Sequence, residues 1–137
     1  LFPYTTLFRS RLIFNLRRGM FKSQEIINFL AQMLQHHPRR HVVVIMDQAK
    51  PHVSKMTKAF VASQKRLHVF YLPSRSPELN PDEKIWNHLK NQELKSHQAT
   101  NLTDLEKLTR NKLHKMSKNP ALLRGIFLRS DIAKYMN

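Results

Sequence analysis

His41-Val42-Val43-Val44-Ile45-Met46 is an unbroken apolar, mostly β-branched run, and it ends on an acid, Asp47. Such a run is expected to be a short strand buried on both faces, as in a parallel sheet. A second run of this kind, Leu67-His68-Val69-Phe70-Tyr71-Leu72, lies downstream. Between them, Val53, Met56, Phe60 and Val61 form the apolar stripe of a helix expected from about Ser54. Two strands joined by a helix imply a parallel crossover, and parallel crossovers belong to α/β folds.

The elements on either side continue the alternation. Leu12-Ile13-Phe14-Asn15-Leu16 reads as a strand that ends at the turn Arg17-Arg18-Gly19. Ser23 is a suitable N-cap for a helix whose stripe is Ile26, Ile27, Leu30 and Leu34, stopped by Pro38. After the irregular Pro73–Pro77 segment, Asn80-Pro81 starts a helix, with Asn as N-cap and Pro at the first helical position. Ile85, Trp86 and Leu89 face inward from it. A helix from about Leu102 to Met116 and an apolar piece from Ala121 to Leu128 close the chain.

Composition narrows the classes. The 137 residues suit one domain, and 41% hydrophobic content with eight Phe argues against disorder. No apolar run approaches the roughly 20 residues of a membrane span, so no membrane partner is expected. Without Cys there is neither a disulfide framework nor a thiolate metal site, which suits a reducing compartment. The formal net charge of +15 is spread along the chain and favours polyanions, nucleic acid above all.

The chemistry-bearing residues fall in two places. Asp47 stands at the carboxyl end of a strand, where ligands collect in open α/β sheets, although an Asp there is also a common turn or capping residue. His52, five residues on, could meet a phosphate or a carboxylate, or serve as a surface or capping His. Glu83 would be the third residue of the helix capped by Asn80, so a capping box explains it without any chemistry. Together, a carboxylate at a strand end and another at a helix start can converge on hard, oxygen-preferring metals, Mg²⁺ or Mn²⁺. His36, His37 and His41 crowd a helix end beside Pro38, a poor ligand geometry, and read as surface residues.

Met46-Asp47-Gln48-Ala49-Lys50-Pro51-His52 and the stretch from Leu72-Pro73-Ser74-Arg75-Ser76-Pro77 through Glu78-Leu79-Asn80-Pro81-Asp82-Glu83-Lys84-Ile85-Trp86 resemble the catalytic core of DDE transposases. The resemblance is to the bacterial insertion-sequence relatives of mariner. Those proteins carry an Asp-Asn-x-x-x-His turn and a Leu-Pro-x-x-Ser-Pro-x-Leu-Asn-Pro-x-Glu-x-x-Trp stretch. Gln48 departs from the usual Asn, and Arg75 stands where Tyr is common.

The resemblance implies a partial RNase H-like fold of three strands with covering helices, lacking the first two strands. It implies metal-dependent cleavage and strand transfer of DNA at transposon ends, by a two-metal site using Mg²⁺ or Mn²⁺. Asp47 and Glu83 would be catalytic and would hold metal. Lys50, His52, Arg75 and Lys90 are candidate DNA contacts, and Lys112, Lys115 and Lys118 could face DNA or solvent. Partners would be transposon-end and target DNA and further copies of the enzyme, in a bacterial cytoplasm close to the nucleoid.

The family's first Asp lies upstream of the segment matching Leu12–Leu16. Glu25, within a helix, is the sole acid before Asp47, so no residue here can take that role, and the chain alone is expected to be inactive. The strand before Asp47 would normally pair with the family's first strand, so an open apolar edge is expected. Residues 1–10, Leu-Phe-Pro-Tyr-Thr-Thr-Leu-Phe-Arg-Ser, show no strand or helix period and resemble an in-frame translation of a short-read sequencing adapter. They are expected to stand outside the domain, leaving 11–137 as the C-terminal part of a DDE transposase/integrase-type catalytic domain. Two other readings stay open: a non-catalytic nucleic-acid-binding module, and a fragment that regulates a transposase by pairing with it.

Overall fold

The computed structural model describes residues 2–8, 11–131 and 134, and for 2–8 and 11 it describes backbone alone. The chain divides into two compact units. One is Met20–Pro77, and the other contains the elements before Met20 and after Pro77.

In the Met20–Pro77 unit, β3 (Val42–Met46) and β4 (Leu67–Tyr71) pair in parallel, with Val42 opposite Leu67 and Met46 opposite Tyr71. This register brings Asp47 and Leu72 out at the same end of the ladder. The crossover is α2 (Lys50–Val53) followed by α3 (Lys55–Ser63). Ahead of β3 runs α1 (Ser23–His36), whose Ile26, Phe29, Leu30, Met33 and Leu34 are buried at helical spacing. Burying a side chain of that size contributes about 1.5–3 kcal/mol. The α1 helix packs on α2 and α3, and α3 packs on β4.

Three local expectations need correction here. The cap of α1 is Lys22, not Ser23: the Glu25 carboxylate accepts from the Lys22 N–H at 2.8 Å and so stands in for the missing cap oxygen. In the crossover, Met56 is 46% exposed and Thr57 is fully buried. Polar bonding rather than apolar periodicity sets that face: Ser54 Oγ accepts from the Thr57 N–H, and Thr57 Oγ1 donates to the Pro51 carbonyl at 2.6 Å. Nor is β3 buried on both faces. Val43, Ile45 and Phe70 share one face and are 59%, 39% and 61% exposed. The helices cover only the opposite face, and β3 has no strand but β4 beside it among the described residues.

In the other unit, β1 (Phe2–Phe8) and β2 (Arg11–Arg17) form an antiparallel ladder. The β2 strand is the expected Leu12–Leu16 element. The β1 strand was not expected: residues 2–8 lack a period, yet they are rich in Tyr, Thr and Phe, which favour extended backbone. The turn after β2 uses Gly19 at φ 85°, a conformation in which other residues are strained.

Leu12 and Leu16 of β2 pack into a core built from three helices: α4 (Pro81–His88), α5 (Leu102–Ser117) and α6 (Pro120–Leu128). That core is Leu12, Leu16, Ile85, Leu89, Leu113, Met116, Leu123 and Ile126, with Trp86 packed against it. A single wide turn, Leu89–Glu93, extends α4, and the Leu94 N–H bonds the Leu89 carbonyl at 2.9 Å. Asn80, Asn101 and Asn119 each cap the helix they precede. All three expected strands are therefore present, but they lie in two separate two-stranded ladders and not in one sheet.

Candidate functional site

Asp47 leaves the carboxyl end of β3 and enters a short turn that its own side chain builds. Its Oδ1 accepts from the Ala49 N–H at 3.0 Å, the local bond that lets Asp nucleate turns. The same oxygen lies 2.6 Å from Nδ1 of His52. Pro51 and Lys50 open α2 and carry His52 round to face back on Asp47. The His52 ring is nearly buried, at 11% side-chain exposure, whereas the Asp47 side chain is 51% exposed. His52 Nδ1 also lies 3.1 Å from the Asp47 carbonyl, so both Asp47 oxygens in reach are acceptors and Nδ1 is the donor.

Supporting bonds hold this corner. Gln48 Nε2 donates to the Leu72 carbonyl at 2.9 Å, tying the turn after β3 to the end of β4. The Tyr71 hydroxyl donates to the His52 carbonyl at 3.1 Å. The His52 bond holds the Asp47 carboxyl below its ordinary range, and the Ala49 N–H works in the same direction against the opposing effect of burial. Asp47 is therefore an ionised, half-exposed carboxylate at neutral pH. Oδ1 carries both of its hydrogen bonds and Oδ2 carries none, so a hard-cation donor remains available.

Glu83 stands in the first turn of α4. The capping box that could have explained it is absent: Asn80 Oδ1 accepts from the Asp82 N–H at 3.1 Å. Glu83 itself is exposed, and its carboxylate makes no hydrogen bond or ion pair among the described residues. Beneath it Ile85 and Leu89 are fully buried and fix the helix on its core. Asp47 lies in the Met20–Pro77 unit and Glu83 in the other.

The candidate DNA contacts differ in setting. Lys50 is exposed at the start of α2. Arg75 is exposed and adopts φ 59°, which is costly for a residue with a Cβ. Lys90 rests over the Trp86 ring with Nζ 5.7 Å from its centre. His52 is turned inward onto Asp47. Sequence reasoning weighed a carboxylate contact for His52 but missed Gln48 and Tyr71 as braces; a polar residue flanking each strand end was the available signal. Among the described residues no three His, Asp or Glu side chains group as a metal cluster. No helix among them is long and apolar enough to cross a membrane.

Residues 8–106 match the family described as DDE superfamily endonuclease, a span that includes both Asp47 and Glu83. The chain is also 40% identical over 50 residues to the uncharacterized protein y4pE/y4sA of Sinorhizobium fredii (strain NBRC 101917 / NGR234). That alignment covers 36% of this chain and 34% of the relative, so the chain spans about a third of the relative's length.

Proposed function

The chain belongs to the DDE superfamily endonucleases, and on that premise we propose that it carries two of the carboxylates of a transposase of the insertion-sequence type related to mariner. The mixed α/β architecture, a small open sheet flanked by helices, is consistent with a partial RNase H-like fold of that family. In this reading Asp47 and Glu83 hold Mg²⁺ or Mn²⁺ in a two-metal site for DNA cleavage and strand transfer at transposon ends. The carrying observation is the state of Asp47: ionised, fixed through Oδ1 at a strand's carboxyl end, with Oδ2 available.

The chain's own groups have defined parts. His52 and the Ala49 N–H orient the Asp47 carboxylate, so that Oδ2 points away from the turn's bonds. Glu83, unspent on capping, supplies a second hard oxygen donor from a helix anchored by Ile85 and Leu89. The metal ions, when bound, would activate the attacking oxygen and stabilise the leaving one. Lys50, Arg75 and Lys90 supply positive charge for phosphates, and the net charge of +15 draws the polyanion in. The intact enzyme works on DNA as an oligomer in the bacterial cytoplasm.

These residues alone do not cleave DNA in this reading. Glu25 is spent on capping α1 and cannot serve as a third carboxylate. Incubating the purified chain with duplex DNA and Mg²⁺ or Mn²⁺ should give binding that weakens steeply with salt, and no nicks. Nicking abolished by Asp47→Ala would refute the inactivity.

A second reading is favoured by the lack of any three-residue metal cluster among the described residues: a non-catalytic nucleic-acid-binding module. It expects DNA affinity to be the same with and without Mn²⁺ and unchanged by Asp47→Asn. The carboxylate reading expects Mn²⁺ to strengthen binding in the parent chain and not in the variant.

A further inference from the structure

At the opposite end of the β3–β4 ladder from Asp47, two imidazoles meet on the surface. His41 immediately precedes β3 and His68 is the second residue of β4, so the parallel register places both on the face that carries Val43, Ile45 and Phe70. Both side chains are exposed. His41 Nδ1 and His68 Nε2 are 2.8 Å apart, with ring centres 5.1 Å apart and planes 21° from parallel.

The platform beneath them is rigid. The Arg66 guanidinium donates to the His37 carbonyl at 2.6 Å and the Arg40 carbonyl at 2.9 Å, and the Val42 N–H donates to the Arg66 carbonyl at 2.7 Å. The loop that delivers His41 is thereby clamped to the residue that begins the approach to β4. Ligands held on fixed backbone lose little freedom on binding, the condition for a preorganised site.

We propose that His41 and His68 form a site for a late first-row divalent cation, Cu²⁺ or Ni²⁺. Imidazole suits these ions, which favour ligands at right angles in square-planar or tetragonal geometry. Two metal–nitrogen bonds of about 2.0–2.1 Å that span a nitrogen separation of 2.8 Å meet close to a right angle. A tetrahedral ion such as Zn²⁺ needs the nitrogens farther apart and fits less well. Water completes the coordination. From His41 to Asp47 is six residues of extended chain, about 20 Å, so the site is separate from the carboxylate end and makes no use of the proposed DNA chemistry. His36 and His37, beside it in sequence, are not in the pair.

Cu²⁺ or Ni²⁺ added to the purified chain tests this. Copper resonance spectra should show two nitrogen donors, and paramagnetic broadening of amide signals should centre on residues 41 and 68. His41→Phe and His68→Phe keep a stacking ring but remove a donor, and each should weaken Cu²⁺ binding about tenfold or more. His36→Phe should leave it unchanged, and Zn²⁺ should bind more weakly than Cu²⁺. A one-nitrogen spectrum in the parent chain would overturn the site without recourse to any variant. So would equal Cu²⁺ affinity in both His→Phe variants, or a loss in His36→Phe as large as theirs.

Discussion

The Asp47–His52 bond can be weighed by a double-mutant cycle of Asp47→Ala, His52→Phe and the pair. His52→Phe fills the ring's space but removes the donor. Asp47 is 51% exposed, so water recovers most of what its carboxylate loses. Asp47→Ala leaves the nearly buried His52 Nδ1 with the main-chain carbonyl at 3.1 Å as an acceptor. A hydrogen bond to a charged group contributes about 1.5–3 kcal/mol. Half-exposure screens it to roughly 1 kcal/mol of coupling. Urea unfolding of the four proteins at pH 7 measures that coupling.

The sign with pH follows from the depressed Asp47 carboxyl. The contribution is fully present above the unfolded value near pH 4 and fades as pH falls through the lower folded value. Additivity within about 0.3 kcal/mol at pH 7, or a coupling that survives full protonation of Asp47, would show that the bond does not hold the carboxylate.

Other outcomes can be checked alongside. Arg75 sits at φ 59°, so Arg75→Val should cost about 1–2 kcal/mol more than Arg75→Gly in chemical unfolding; equal stabilities would contradict the strained loop. Leu89→Ala, at a fully buried position under the Glu83 helix, should lose about 2–5 kcal/mol. Phe70→Ser with Ile45→Thr should change stability by no more than about 0.5 kcal/mol each while lowering light scattering on concentration, because both side chains sit on the uncovered face. A loss of several kcal/mol there would mean that the face is packed.

The strands β2, β3 and β4 and the helix starts at Asn80 and Leu102 were legible because periodicity and capping chemistry are local. The single-faced burial of β3 was not. A run such as Val42–Met46 records that its residues are apolar and says nothing about what lies on each side. Thr57 was missed for the converse reason: its burial rests on hydrogen bonds to Ser54 and Pro51, which an apolar stripe cannot reveal. At the candidate site the identities of Asp47 and Glu83 came from motif spacing. Whether Glu83 was spent on a cap could be settled only by seeing that Asn80 bonds Asp82 instead. The His41–His68 pair depends on strand register, which joins residues 27 positions apart.

The central claim is that Asp47 and Glu83 serve one metal site. Titrating the isotope-labelled chain with Mn²⁺ and following the paramagnetic broadening of side-chain carboxyl signals tests it most directly. The expected result is that Asp47 and Glu83 broaden together, with one shared midpoint, and that Asp47→Asn abolishes the response at Glu83. Separate midpoints, or a Glu83 response that persists in Asp47→Asn, would contradict it.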